Sequence, residues 1–533
     1  MADLIWGELS LQDAPPPRIP RSRLNSEQHF TTMLYPVIIR NGEDIDLLLE
    51  TMRCNIRNIA HYRLVAHMAL IDFADCPASV AVRDQELRAK VEEGIRELHG
   101  EYPDLSVSAL FRRRKYNAAD RMWMGWERKR GKLIEFCGLC VGDSSTTFDL
   151  DTKLAIEARY IALKTRFAIT LDVGGEFRGE SAMALIEVMA HPANHPVIDR
   201  KSLKVVSGFT FLRPAHVSIP PRSIFELLSR GPRGAIERPP SLMQKIAGHD
   251  QFYGKGIIDV VAAWAILKPQ IPENRVLSHD TLEGALAGVA VVHDSQLVDP
   301  GPWNYLAFRS RNHRWSRGDF QLVPWLFGPR RASIGIFSRW LLLVAYSRAI
   351  YQLVGSCLII LAWLSLPVEL QGGAMCVLFG CYFAKSAGFV PISMTLSHLR
   401  APNRNEVKLC DFLRSMFGNV GWKVLAQLTW LTLMADQAIM TADAWVRANF
   451  RLITGRKALE WLPDAKVPIS HGRMPNPWRW MWAGPMLSVC IGVLIYVINS
   501  AAMPFGLPFL FIWFISPYLV RVYNLPLRRS LHS

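Results

Sequence analysis

LSHDTLEGALAGVAVVHDSQLVDPGPWNYLAFRSRNHRWSRGDFQLVPW (277–325) decides how this chain is read. It opens with an Asp just after a short apolar run. A β-branched segment follows, and then basic and aromatic residues at helical spacing. On its N-terminal side the sequence reads as a soluble domain. On its C-terminal side nearly everything reads as membrane-bound, so the stretch marks a junction between two environments.

Upstream, short β-branched runs alternate with amphipathic stretches from Thr31 onward, which predicts an α/β fold: one doubly wound, mostly parallel sheet. Strands are expected at 32–40, 64–72, 106–113, 166–173, 205–213 and 290–298. Helices are expected at 43–59, 81–99, 122–137, 149–164, 180–190 and 257–267. The chain divides into a flexible arm (1–30), a cytoplasmic domain (31–330) and a membrane domain (331–533). The first residues contain acids, three consecutive prolines and no apolar core, so they are not expected to act as a signal peptide.

Downstream, 334–351 carries Arg339 and Arg348 on an apolar helix and reads as interfacial. Four spans are expected, at 351–366, 374–396, 483–501 and 507–522, with a basic stretch at 399–479. The connections VELQGG and NSAAMPFG lack Lys and Arg, whereas 399–479 and the C-terminal tail are rich in them. By the positive-inside rule both termini and the soluble domain face the cytoplasm.

The 533 residues carry 50% hydrophobic and 20% charged side chains, with a net charge of +15. The surplus Lys and Arg border apolar runs, which argues for a lipid bilayer rather than nucleic acid as the partner. Nine scattered cysteines, several inside apolar runs, describe no disulfide framework, and Cys137-x-x-Cys140 lacks the second pair that zinc requires.

In such sheets ligands bind where strands end. Asp72 and Asp75 end one strand and are candidates for a nucleotide's base or ribose, or else a helix cap. In 109–136 a dense basic run surrounds Trp123 and Trp126. Lys129 and Gly131 there suit a diphosphate, with a solvated basic face as the alternative. Asp172 ends AITLDVGGEF. Nucleotide-sugar transferases hold Mg²⁺ or Mn²⁺ between two carboxylates spaced two apart. The second place here is Gly174, which leaves Glu176 to reach the metal through the flexible Gly174–Gly175 pair. Phe252, Tyr253 and Lys255 sit at a Gly-Lys-Gly turn and could stack on a sugar and bind its hydroxyl or phosphate, or form an ordinary loop. Asp280 fits a lone general base. Arg314 and Trp315 fit a guanidinium fork for phosphate and an indole for a sugar ring, with lipid headgroups as the other reading.

Taken together, WMGWERKRGKL, ITLDVGG, GKGIIDV, PENRVLSHDTLEG and RNHRWSRGDFQLVPWL resemble the glycosyltransferase domain of cyclic β-1,2-glucan synthases (glycosyltransferase family 84). That domain lies within the wider class of inverting family 2-like membrane transferases. The resemblance implies a nucleotide-sugar transferase A-type fold, a UDP-glucose donor, a divalent metal, a β-1,2-glucan acceptor at the inner membrane, and partner proteins for chain length or export. By position, Asp72 would bind the uridine side, Lys129 and Gly131 the diphosphate, Asp172 the metal, and Asp280 would be the base. Arg314 and Trp315 would hold the place of the Gln-x-x-Arg-Trp signature, whose Gln is Arg311 here.

Overall fold

The computed structural model describes residues 16–217, 219–230, 250–277, 279–299, 301–330, 334–383, 409–456 and 476–527. Its first strand, β1 (Thr31–Ile39), and β2 (Val65–Phe73) are buried along almost their whole length, as strands covered on both faces must be. Between them runs α1 (Gly42–Ile59), capped by the Asn41 side chain accepting from the Asp44 amide. The units α2 (Asp84–Glu101) and β3 (Val107–Phe111) continue the pattern. A hairpin of β4 (Lys115–Asn117) and β5 (Met122–Met124) then leads into α3 (Arg128–Cys140). After α4 (Lys153–Lys164), β6 (Phe167–Thr170) returns to the sheet beside β1.

The second half adds β7 (Glu176–Phe177), α5 (Ser181–Met189), the ribbon of β8 (Val197–Asp199) and β9 (Lys204–Ser207), and β10 (Phe211–Val217). Next come α6 (Ile224–Arg230), β11 (Gly256–Asp259), α7 (Val260–Gln270), α8 (His279–Ala287) and β12 (Val289–Val298). The sheet has eight strands in the order β3-β2-β1-β6-β11-β10-β12-β7. It is mixed but mostly parallel: β11 runs against both neighbours and β7 runs against β12.

Three local expectations are corrected. The single strand expected at 205–213 is two, β9 and β10, because the chain turns at Gly208 (φ +72°). The helix expected from 122 begins at Arg128, and β5 takes the first residues. The helix expected at 257–267 is preceded by β11, a four-residue apolar run too short to separate from a buried helix by periodicity. The arm is fastened from Arg18 on: Arg18 bonds Asp294 at 2.7 Å, and Arg21 bonds Glu187 and the Tyr62 hydroxyl, each at 2.6 Å.

Beyond the sheet the described residues form the helices α9 (Tyr305–Phe320), α10 (Val323–Leu326), α11 (Ile336–Ser365), α12 (Val368–Phe383), α13 (Leu409–Thr432) and α14 (Met434–Thr454). They are followed by α15 (Pro477–Met481), α16 (Ala483–Ile498), α17 (Met503–Phe514) and α18 (Ser516–Tyr523). The expected interfacial helix and first span are one continuous 30-residue helix, α11. Among the described residues α11 alone is long and apolar enough to cross a bilayer, or there are two such spans if the pair bent by 51° around Ile515 is counted as one. The apolar α12 and α16 have 16 residues each, about 24 Å at 1.5 Å per residue and short of a hydrocarbon core of about 30 Å. The second expected span continues past Phe383 to residue 396, which lies outside the described residues.

Candidate functional site

Strand direction decides which side chains meet. β11 runs antiparallel to β6 with Gly256 opposite Thr170, so the residues entering β11 stand beside those leaving β6. Lys255 and Asp172 are thereby neighbours at the carboxyl edge of the parallel strands, where α/β sheets bind ligands. β10 and β12 run parallel and end at the same edge, bringing His216 and Asp299 to it. Helix α8 runs back into the start of β12, so its first residues, His279 and Asp280, also reach that edge.

Asp172 is half-exposed and takes one lysine on each oxygen. The Lys129 ammonium donates to Oδ1 at 2.6 Å, and Lys255 stands 3.2 Å from Oδ2. Lys129 also donates to the Gly254 carbonyl at 2.8 Å, and Lys255 is bonded to Asp299. Burial alone would raise the Asp172 carboxyl, but the two ammonium groups outweigh it and hold it well below the usual carboxylate range. Burial likewise pushes Lys129 down, yet Asp172 and Asp280 lift it above an ordinary lysine.

Asp280 lies on the other side of Gly254. The turn there has φ +73°, and a Cβ on Gly254 would come within 2.5 Å of the Asp280 carboxylate, so only glycine permits this approach. Nε2 of His279 lies 3.0 Å from Asp280 Oδ1. Burial would raise Asp280, but His279 and Lys129 overcome it and keep the carboxyl low. Burial would lower His279, but Asp280 and Glu283 overcome it and raise the imidazole. Glu283 itself is raised, chiefly by burial. At neutral pH this leaves Asp280 as a carboxylate able to accept a proton.

Asp299 connects this cluster to a cavity of about 210 Å³, lined by His216, Asp299, Phe308, Arg311, Asn312 and Trp315. The Arg311 guanidinium lies 4.5 Å from the Trp315 ring centre, and the indole is 47% exposed. Arg314 is half-buried on the same helix and is not among the residues lining the cavity; Arg311 takes the arginine's place there. Tyr253 stands edge-on to His216 with ring centres 5.9 Å apart.

Other expected residues sit elsewhere. Asp72 is buried and gripped by Arg112 at 2.7 and 2.9 Å and by Lys132 at 3.2 Å. Asp75 is paired with Arg128. Gly131 is packed against protein: a Cβ there would meet the Trp126 carbonyl at 1.9 Å. Phe252 is fully buried and stacked on Phe211 with centroids 4.3 Å apart.

Around Asp172 the residues do not fit a divalent cation, which needs several anionic or carbonyl oxygens. Both carboxylate oxygens hold ammonium groups, and the Gly174 amide is spent on the Thr51 hydroxyl at 2.9 Å. Glu176 is on β7 with its carboxylate 3.5 Å from the Asn58 amide. Among the described residues the group of three His, Cys, Asp or Glu side chains with ligand atoms within 4.8 Å of one another is His279, Asp280 and Glu283. The positive charge of Lys129 already falls on both of its acids.

The sequence singled out Asp172, Lys255 and Asp280, and noted Arg311 only as the residue in the signature's Gln place, but missed Asp299 and Glu283. Asp299 follows the last residue of β12, and Glu283 stands one helical turn from Asp280, so strand-end and i,i+3 spacing were the available signals.

A mixed α/β sheet that gathers acids, lysines and an Arg–Trp pair at its carboxyl edge, ahead of a helical region, defines a class: α/β proteins with a polar crevice where the parallel strands end. No family model matches the chain. Cyclic beta-(1,2)-glucan synthase NdvB of Rhizobium meliloti (strain 1021) is 30% identical over 506 residues, covering 92% of this chain. The chain is homologous to part of that synthase and spans 17% of its length, which bears out the resemblance read from the motifs.

Proposed function

We propose that the chain is an inverting glycosyltransferase that moves glucosyl units from UDP-glucose to a growing β-glucan, with β-1,2 the linkage to test first. The observation that supports it most is the line of ion pairs from Lys129 through Asp172, Lys255 and Asp299 to the Arg311–Trp315 cavity, with Asp280 packed against Gly254, whose carbonyl Lys129 also holds. The acceptor sugar stacks on Trp315, Asp280 takes the proton of its hydroxyl, and that oxygen attacks the donor's anomeric carbon. The bond to the diphosphate breaks with its electron pair leaving on the phosphate oxygen, beside Lys129. A single displacement inverts the configuration.

The length of α11, together with exposed Trp445, Val446, Phe450 and Ile453 on α14, supports attachment to a bilayer. The inner membrane, with the sheet and both termini cytoplasmic and several spans, is the arrangement proposed. Partner proteins would set chain length or export.

Purified full-length chain in detergent, given radiolabelled UDP-glucose and a β-glucan primer, should incorporate label. Asp280→Asn should reduce incorporation by about 10²-fold or more. UDP binding with no incorporation by the unaltered chain supports a second reading, a silent subunit for a partner synthase, which the lysine-bound state of Asp172 favours. Label on lipid or protein in place of glucan redirects the acceptor.

A further inference from the structure

We infer that Lys129 and Lys255 do, for the donor's diphosphate, what a divalent cation would otherwise do, so that donor binding by this chain is independent of metal. The inference rests on the nucleotide-sugar reading above. Two ammonium groups bring the same two positive charges as one Mg²⁺, and here they converge on the two oxygens of one carboxylate, Asp172. Each is held from a second side, Lys129 by the Gly254 carbonyl and Lys255 by Asp299, so their positions do not depend on a ligand. Both stems run through protein, with Lys255 only 4% exposed, whereas the Asp172 side chain is 47% exposed. Each ammonium has three N–H groups and uses two of them on these partners, so a diphosphate that reaches the open side of Asp172 can take the third N–H of each lysine in place of part of that carboxylate's share.

The same geometry excludes a cation from this place. A divalent ion on Asp172 would have to displace both lysines into buried surroundings, where their charges would repel it and lose their partner. Gly174 stands where a second carboxylate two residues on would be, and Glu176 has its carboxylate 3.5 Å from the Asn58 amide. Lys129 also faces Asp280 and Glu283, so it counters those acids while the leaving diphosphate gains charge.

The test measures binding of UDP to the full-length chain in detergent by calorimetry, in EDTA and then with Mg²⁺ or Mn²⁺ restored. The inference expects UDP to bind in EDTA, with affinity changed by less than about threefold when metal is added. Lys255→Met should weaken binding by about tenfold or more, and Lys255→Arg, which keeps the charge, should recover most of it. Binding that appears only with metal overturns the inference and leaves the transferase reading standing. A Lys255→Met chain that melts earlier but binds UDP as before also overturns it, because the pair is then structural. If Lys255→Met does not fold, the chelator comparison on the unaltered chain and on Lys255→Arg decides. UDP that binds under no condition overturns the donor reading itself.

Discussion

Asp72 shows how a side chain can be placed correctly and be engaged differently from what its position suggests. It ends β2 as expected, but the Arg112 fork and Lys132 close over it in a site with almost no solvent. Removing Arg112 leaves the buried Asp72 to Lys132 alone and takes two charge-assisted hydrogen bonds from it, so Arg112→Met should cost about 1.5–3 kcal/mol in denaturant unfolding. Burial works against the Asp72 carboxylate, yet Arg112 and Lys132 prevail and its folded pKa falls below the ordinary 3.8. The stabilisation is therefore complete above that value and is lost as pH drops through the folded one. Thermal melts of the unaltered chain and the Arg112 variant should differ fully above pH 3.8 and draw together only as pH falls through the lower folded value. Asp319 is the opposite case: burial pushes it up to about 7. Its charged form burdens the fold as pH rises from 3.8 past 7, so Asp319→Asn should raise the melting temperature at pH 8 and do little at pH 4. Asp172 was legible because it follows a strand and Lys255 because it sits in a Gly-Lys-Gly turn, whereas Asp280, expected after a short apolar run, opens helix α8. Sequence position could not show that Arg112 would seize Asp72 or that Phe252 would stack on Phe211, since those partners come from distant segments.

At the scale of elements, α9 joins the cavity to the helical region. Arg311 and Trp315 line the cavity, Tyr305 and Arg309 are bound to α14, and Asn312 touches both. Asp436 of α14 accepts from the Tyr305 hydroxyl at 2.7 Å and from Arg309 at 2.8 Å, and Asn312 donates to Gln437 at 3.1 Å. With Asp436 only 1% exposed, Asp436→Ala should cost about 3–5 kcal/mol and also lower transfer to the glucan primer, read by unfolding and by label incorporation. The continuity of α11 was not legible because Arg339 and Arg348 broke its apolar run into two apparent pieces. Long arginine stems follow apolar surface while their heads reach water, so the helix need not end where its pattern does.

At the scale of the whole molecule, buried contacts run across residue 330 between the sheet domain and the helices that follow it. Ile334 and Leu342 belong to the same buried cluster as Leu110, Phe136 and Trp325 of the sheet domain. The Tyr305 amide bonds Asn524, and the Ile224 amide bonds the Leu525 carbonyl, which ties the last helix back to the sheet. A fragment cut after Arg330 leaves that apolar surface in water, so it should elute as aggregate in size-exclusion chromatography without detergent.

Gly254, finally, lets Asp172 and Asp280 share one lysine across a single turn of backbone. Loss of Lys129 would leave two negative charges facing each other, and a side chain on Gly254 would collide with Asp280. Substitutions at these four positions should therefore be inherited as a set, and a descendant that has lost one of them should have lost or rebuilt the others.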